Sequence, residues 1–240
     1  MEKTSIYSEL AKYYDLIYSS KDYKKEADII HKLITKYKKT NGNALLEVAC
    51  GTWHHLQYFK QNFSCMGIDL NQGILDVAKK NFKNVVFKKA DMINFNLNKK
   101  FDVITCLFSS IGYVKTYQNL EKTMKNFAKH LKTGGVVIIE PWFAKSAYKA
   151  GSVHMTTYEN KDLKIARLSV SKVKGNVSIN NMHYLIGERN KEVKHFIDRH
   201  EMGLFEIDKT LQFMKQAGIK SAFLKNGLMK DRWLFIGIKE

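Results

Sequence analysis

Residues 44–56, "ALLEVACGTWHHL", decide the fold. An apolar run ends in Glu47. Small residues follow at Ala49, Cys50, Gly51 and Thr52, and a helical pattern starts behind them. This is the strand–turn–helix form of a nucleotide-binding βα unit. Such turns prefer glycine where this one has Trp53, followed by His54 and His55.

Outward from that turn the same alternation repeats. "CMGIDL" reads as a strand and "QGILDVAKKNF" as a helix; "NVVFKKA" and "FDVITCLFS" are strands. "NLEKTMKNFAKHLK" is a helix and "GGVVIIEPWF" a strand, while "HLQYFKQNF" behind the first turn reads as a helix too. Strands alternating with helices imply parallel pairing in a doubly wound sheet. The pattern changes after Pro141, the only proline. "HMTTYE", "KIARLSVSKVK", "VSINNMHYLIG" and "VKHFIDRHEMGLF" alternate with period two and read as an antiparallel meander. The helix "EIDKTLQFMKQAG" and the strands "IKSAFLKN" and "RWLFIGIK" close the sheet. The expected fold is α/β: a Rossmann-like, doubly wound, mostly parallel seven-stranded sheet with an inserted antiparallel β meander. One domain is expected over residues 1–240, with a helical cap at 1–40 and the insertion at 145–205.

Composition narrows the class. The 240 residues are 45% hydrophobic and 26% charged, as in globular proteins. No apolar run reaches membrane-spanning length, and the N-terminus lacks the basic start and apolar core of a signal peptide. A cytoplasmic location without membrane partners is expected. Cys50, Cys65 and Cys106 form no C-x-x-C pair and suggest neither a disulfide framework nor zinc. The net charge of +17 comes almost wholly from lysine; the arginines are Arg167, Arg189, Arg199 and Arg232. Base and phosphate readers favour arginine forks, so the lysines read as a solvated surface rather than a nucleic-acid footprint.

Three acids carry the chemistry. Glu47, Asp69 and Asp91 end consecutive strands, and the topology turns them toward one crevice. Asp69 is placed to accept from ribose hydroxyls and Asp91 from an adenine amine. A dinucleotide would bring a pyrophosphate, which wants a glycine-rich turn; this turn has one glycine. S-adenosylmethionine carries no phosphate and is cationic, so it suits the acids better.

"LLEVACGT", "GIDL", "ADM", "FDVITCLFSSIGYV", "GGVVIIEPWF" and "RWLFIGI" resemble the class I S-adenosylmethionine-dependent methyltransferases. More narrowly, they resemble the nucleotide-linked aminosugar N,N-dimethyltransferases, over nearly the whole chain from "YYDLIY" onward. The resemblance implies that Tyr14 closes over the cofactor. It implies that Glu47, Cys50, Gly51 and Thr52 hold the methionine part, Asp69 with the adjacent Leu70 the ribose, and Asp91 with Met92 the adenine. Leu107 and Phe108 would form the opposite wall. Arg232 would face the diphosphate of a nucleotide-linked substrate. Apart from the resemblance, Trp142, Tyr148, Tyr158 and Tyr184 are candidate aromatic walls for a base or sugar. Trp53 and His54 depart from the pattern; His55 matches a histidine common in the subfamily.

N-methylation needs a neutral amine held in line with the methyl group, so positioning supplies most of the catalysis. Candidates for removing the ammonium proton are Tyr113, Glu140 and, on the meander, His183, His195 or His200. Tyr113, Glu140 and His200 are retained. The expected function is N-methylation of a small-molecule amine on a nucleotide-linked aminosugar. Its rivals are another small-molecule acceptor, a non-catalytic cofactor binder because of Trp53, and a nucleic-acid methyltransferase. No metal is expected. The meander's edge is a candidate homodimer surface.

Overall fold

A computed structural model describes residues 13, 16–52, 54–225, 227–228 and 233–240. Two sheets make up the fold. The larger has seven strands in the order β10-β11-β5-β4-β1-β2-β3. Its first half comprises β1 (Ala44–Val48), β2 (Ser64–Asp69), β3 (Val86–Lys89) and β4 (Phe101–Cys106). Its second half comprises β5 (Leu131–Ile139), β10 (Ile219–Leu224) and β11 (Leu234–Lys239). The pairs β1–β2, β1–β4, β2–β3 and β4–β5 are parallel, whereas β11 runs antiparallel to both β5 and β10. Between β5 and β10 the chain builds a separate four-stranded antiparallel sheet. Its strands are β6 (Val153–Glu159), β7 (Leu163–Lys174), β8 (Val177–Glu188) and β9 (Lys194–Gly203).

The core follows from strand composition. Every residue of β4 is buried, as suits a central strand covered on both faces. Helices pack their apolar stripes against it. In α1 (Tyr23–Tyr37) Ala27, Ile30 and Ile34 are buried, and Asp22 caps the helix by accepting from the Lys25 N–H. Asn71 caps α3 (Gln72–Asn81) and Thr116 caps α4 (Tyr117–His130) in the same way. Helix α5 (Ile207–Gln216) precedes β10.

Two expected elements differ in extent. Helix α2 is only Leu56–Phe59. The Ser64 N–H is already bonded to the Asn43 carbonyl at 2.9 Å to start β2, so the chain must turn immediately after Phe59. Strand β5 starts directly after α4 and stops at Ile139, before Pro141, which has no N–H to extend a ladder.

Candidate active site

The carboxyl ends of β1, β2, β3 and β4 open into one cleft of about 1180 Å³, roofed by the inner face of the four-stranded sheet. Strain gathers at its floor. Ala49 (φ 54°), Gly51 (φ 59°), Phe108 (φ 52°) and Ser109 (φ 62°) are left-handed and line the cleft. Such backbone persists only where neighbours fix it. At the first turn Asp69 does so: one carboxylate oxygen accepts from the Gly51 N–H at 3.1 Å, the other from the Asn71 N–H at 2.9 Å. Gly67 lets β2 approach closely, since a Cβ there would lie 2.8 Å from the Cys50 sulfur and the Phe87 ring.

Glu140 fixes the second turn. Its Oε2 accepts from the Phe108 N–H at 2.6 Å, while the Ser109 hydroxyl donates to the Pro141 carbonyl at 3.0 Å. Glu140 is 1% exposed and does not line the cleft. The expectation that it faces the reacting amine is therefore corrected. One oxygen of its carboxylate is turned to the backbone and braces the Phe108 wall.

The acid-lined end gathers most of the expected cofactor residues. Glu47, Cys50, Gly51, Thr52, Asp69, Leu70, Asp91, Met92, Leu107 and Phe108 all line the cleft. Asp91 orders its own turn by accepting from the Ile93 N–H at 2.9 Å. Glu47 lies at the bottom. Its Oε2 is buried with no hydrogen-bond partner among the described residues, and its Oε1 is 3.8 Å from His55 Nδ1, beyond hydrogen-bond reach. Burial, with the nearby Asp69 charge, pushes the Glu47 carboxyl well above the usual range; burial also raises Asp69. This end fits S-adenosylmethionine: an unsatisfied buried carboxylate suits a cation, and the backbone at Gly51 is bare, since a Cβ there would meet nothing within 4 Å.

The N-terminal helix packs against the turn. His54 stacks on Tyr23 at 4.4 Å, and His55 Nε2 lies 2.7 Å from the Glu26 carboxylate, which also pairs with Lys21. Burial resists charging Glu26, yet the His55 and Lys21 hydrogen bonds hold its carboxyl below the usual range. Burial also lowers His55, against the pull of the Glu26 carboxylate that faces its Nε2. Glu26 and Lys21 were not anticipated from sequence. Tyr14, Trp53 and Arg232 lie outside the described residues.

Elsewhere along the cleft the 3₁₀ turn Ser110–Val114 meets β9. Two expected residues come together there: the Tyr113 hydroxyl is 2.7 Å from His200 Nδ1. His200 Nε2 is 2.8 Å from Asp198 Oδ2, within ion-pair distance though outside hydrogen-bond geometry, a partner that sequence reading missed. The signal was present in "IDRH", because residues two apart share a strand face. His183 and His195 instead pair with each other at 3.1 Å, outside the cleft lining. Trp142 lines the cleft, donates to the Ser178 hydroxyl at 2.9 Å and meets Phe143 edge-on.

Comparison with known proteins agrees with this geometry. Residues 45–135 match the model of a methyltransferase domain. The chain is 34% identical to the dTDP-3-amino-3,4,6-trideoxy-alpha-D-glucopyranose N,N-dimethyltransferase of Streptomyces venezuelae, over 94% of this chain and 95% of that one. Its structure is similar to that of Streptomyces venezuelae DesVI, with TM-score 0.91 and 33% identity over 97% and 99% of the two chains. It is also similar to S-adenosylmethionine-bound CalS10, an amino pentose methyltransferase from Micromonospora echinaspora, with TM-score 0.85 and 26% identity over 92% and 93%. The sheet order, the acid-lined cleft and this full-length likeness together place the chain in the S-adenosylmethionine-dependent methyltransferases, as a member of the family of the dTDP-aminosugar N,N-dimethyltransferases.

Proposed function

We propose that the protein methylates the amino group of a nucleotide-linked aminosugar. The observation that carries this reading is the continuity of the cleft. Its acid-lined floor and the Tyr113–His200 pair line the same cavity, so a cofactor and an acceptor can meet inside it. Glu47, Gly51, Asp69, Asp91 and the Leu107–Phe108 wall hold S-adenosylmethionine in this reading, with Cys50, Thr52, Leu70 and Met92 packing around it. Bound there, the cofactor supplies an electrophilic methyl group.

The chain's own residues then position the amine and take its proton. Tyr113 accepts the proton leaving the ammonium as its own hydroxyl proton passes to His200 Nδ1. Asp198, against Nε2, stabilises the imidazolium. Glu140 acts through Phe108 rather than on substrate. Trp142, with Phe143 and Tyr148, walls the sugar or base. The chain works as one methyltransferase domain in which residues 145–205 form the acceptor side.

A cytoplasmic setting is part of this reading. Burial pushes the thiols of the three free cysteines up, Cys65 to about 12, so they are poor nucleophiles. Among the described residues no helix is long and apolar enough to cross a membrane. A homodimer through the outer face of the four-stranded sheet, rather than its edge, completes the reading.

The test is transfer of labelled methyl groups from S-adenosylmethionine to a dTDP-linked aminosugar, the free aminosugar and RNA. Preference for the dTDP-linked amine supports the reading. Equal kcat/KM for the free amine, or labelled RNA, overturns it.

A further inference from the structure

The inner face of the four-stranded sheet carries one charge that no acid answers. Arg167, Ser169 and Ser171 are successive inward residues of β7 and all line the cleft. Arg167 is half-buried. Its Nη1 donates to the Tyr18 hydroxyl at 2.7 Å, its Nη2 donates to the Thr156 hydroxyl at 3.0 Å, and the guanidinium lies 5.0 Å from the Tyr18 ring centre. Every one of these partners is neutral. Among the described residues no carboxylate lies within ion-pair distance of it, in contrast to two other cations of the cleft. Lys21 is paired with Glu26, and Lys115 with Glu201 at 2.9 Å.

A half-buried guanidinium with only neutral partners retains its charge and unused N–H donors facing the cavity. Its hydroxyl neighbours hold the planar fork in place without neutralising it. That is the construction of an anion site, and the fork geometry suits a phosphate better than a single-point acceptor. The aromatic wall of Trp142 and Tyr148 and the amide of Asn180 line the same cavity, so an anion on Arg167 would belong to a larger molecule carrying a base or sugar.

We propose that Arg167 is a phosphate anchor of the acceptor site, binding the diphosphate of the nucleotide-linked substrate. The assignment rests on the nucleotide-linked reading above. Through Tyr18 the same contact ties the segment before α1 to the occupied site, so substrate and the N-terminal cap hold each other.

Calorimetry with thymidine diphosphate, thymidine and S-adenosylhomocysteine tests this on the intact chain. Arg167→Gln is expected to weaken thymidine diphosphate about tenfold or more, as for loss of a charged hydrogen-bonding group. Thymidine and S-adenosylhomocysteine should bind as in wild type. Arg167→Lys, which keeps the charge but not the fork, should lose severalfold and serves where the glutamine variant does not fold. Unchanged thymidine diphosphate affinity in either folded variant overturns the Arg167 assignment alone. Equal losses for thymidine diphosphate and thymidine also overturn it, marking Arg167 as a purely structural brace. Wild-type protein that binds S-adenosylhomocysteine but not thymidine diphosphate overturns both this assignment and the nucleotide-linked reading.

Discussion

Glu47 is where sequence and environment pull apart. As a strand-ending acid it reads as an ordinary cofactor contact. In place it is buried, lacks a partner for one oxygen and sits near a second acid, so it holds its proton well above the usual carboxylate range. The sign for stability follows. The folded state binds a proton that the unfolded chain has released, so Glu47 makes a destabilising contribution that grows as pH rises above the unfolded value. A cationic cofactor favours the carboxylate, so binding is expected to release a proton, and affinity is expected to rise with pH. Calorimetry in buffers of different ionisation enthalpy measures this. Glu47→Gln should abolish the proton release; release that persists in the variant would assign it elsewhere. The acids Glu47, Asp69 and Asp91 were legible because strand ends in this topology face one crevice. The Glu26–His55–Lys21 cluster was not, because it joins residues of the N-terminal segment to a turn after β1, and no spacing rule links them.

At the scale of the element, the turn after β4 decides the opposite wall. "FDVITCLFS" reads as one uninterrupted strand, yet the backbone leaves the strand region at Phe108 and Ser109. Neither residue is a usual left-handed type, so only the Glu140 and Ser109 hydrogen bonds betray the turn. Glu140→Ala leaves the Phe108 amide without its acceptor and should cost about 1–3 kcal/mol. S-adenosylhomocysteine affinity should fall with it, because the ring wall loses its brace. Glu140→Gln keeps an acceptor and should recover most of both in thermal melts and calorimetry. The 3₁₀ turn that follows carries Tyr113 to His200. Tyr113→Phe is expected to lower kcat about tenfold with cofactor affinity unchanged. That is below the usual range for general acid–base catalysis, because Tyr113 is 40% exposed and solvent shares the proton's departure. Unchanged kcat in both Tyr113→Phe and His200→Asn would remove the relay from the mechanism.

Across the whole molecule, the four-stranded sheet departs from the ordinary rule of burial. Its inner face buries the apolar Ile165, Tyr184 and Ile186 but also Ser169, Ser171, Ser178, Asn180 and Asp198, while Leu168, Val170, Leu185 and Ile197 are exposed on the outer face. Period-two alternation revealed the strands but not which side was inward, since apolar positions are normally the buried ones. Arg167 and Asp198 were hidden from sequence reading for this reason. The outer residues are also neighbours: Val153 pairs with Val170, and Leu168 and Ile197 both pair with His183. Clustered exposed apolar residues of this kind are uncommon on monomers. They sit within an outer face of roughly 20 Å by 30 Å from strand spacing and rise, large enough for most of the about 800 Å² per partner that stable interfaces bury, with polar residues such as Arg199 and Glu201 toward one end. A two-fold axis through it would bring the same residues together from both copies. Light scattering on a sizing column should therefore give a dimer at micromolar concentration, and Leu168→Lys with Ile197→Lys should give a monomer. S-adenosylhomocysteine affinity should be unchanged in that variant, because both side chains point away from the cleft. A wild-type monomer at tens of micromolar would leave the apolar face without a second copy and would end the dimer proposal.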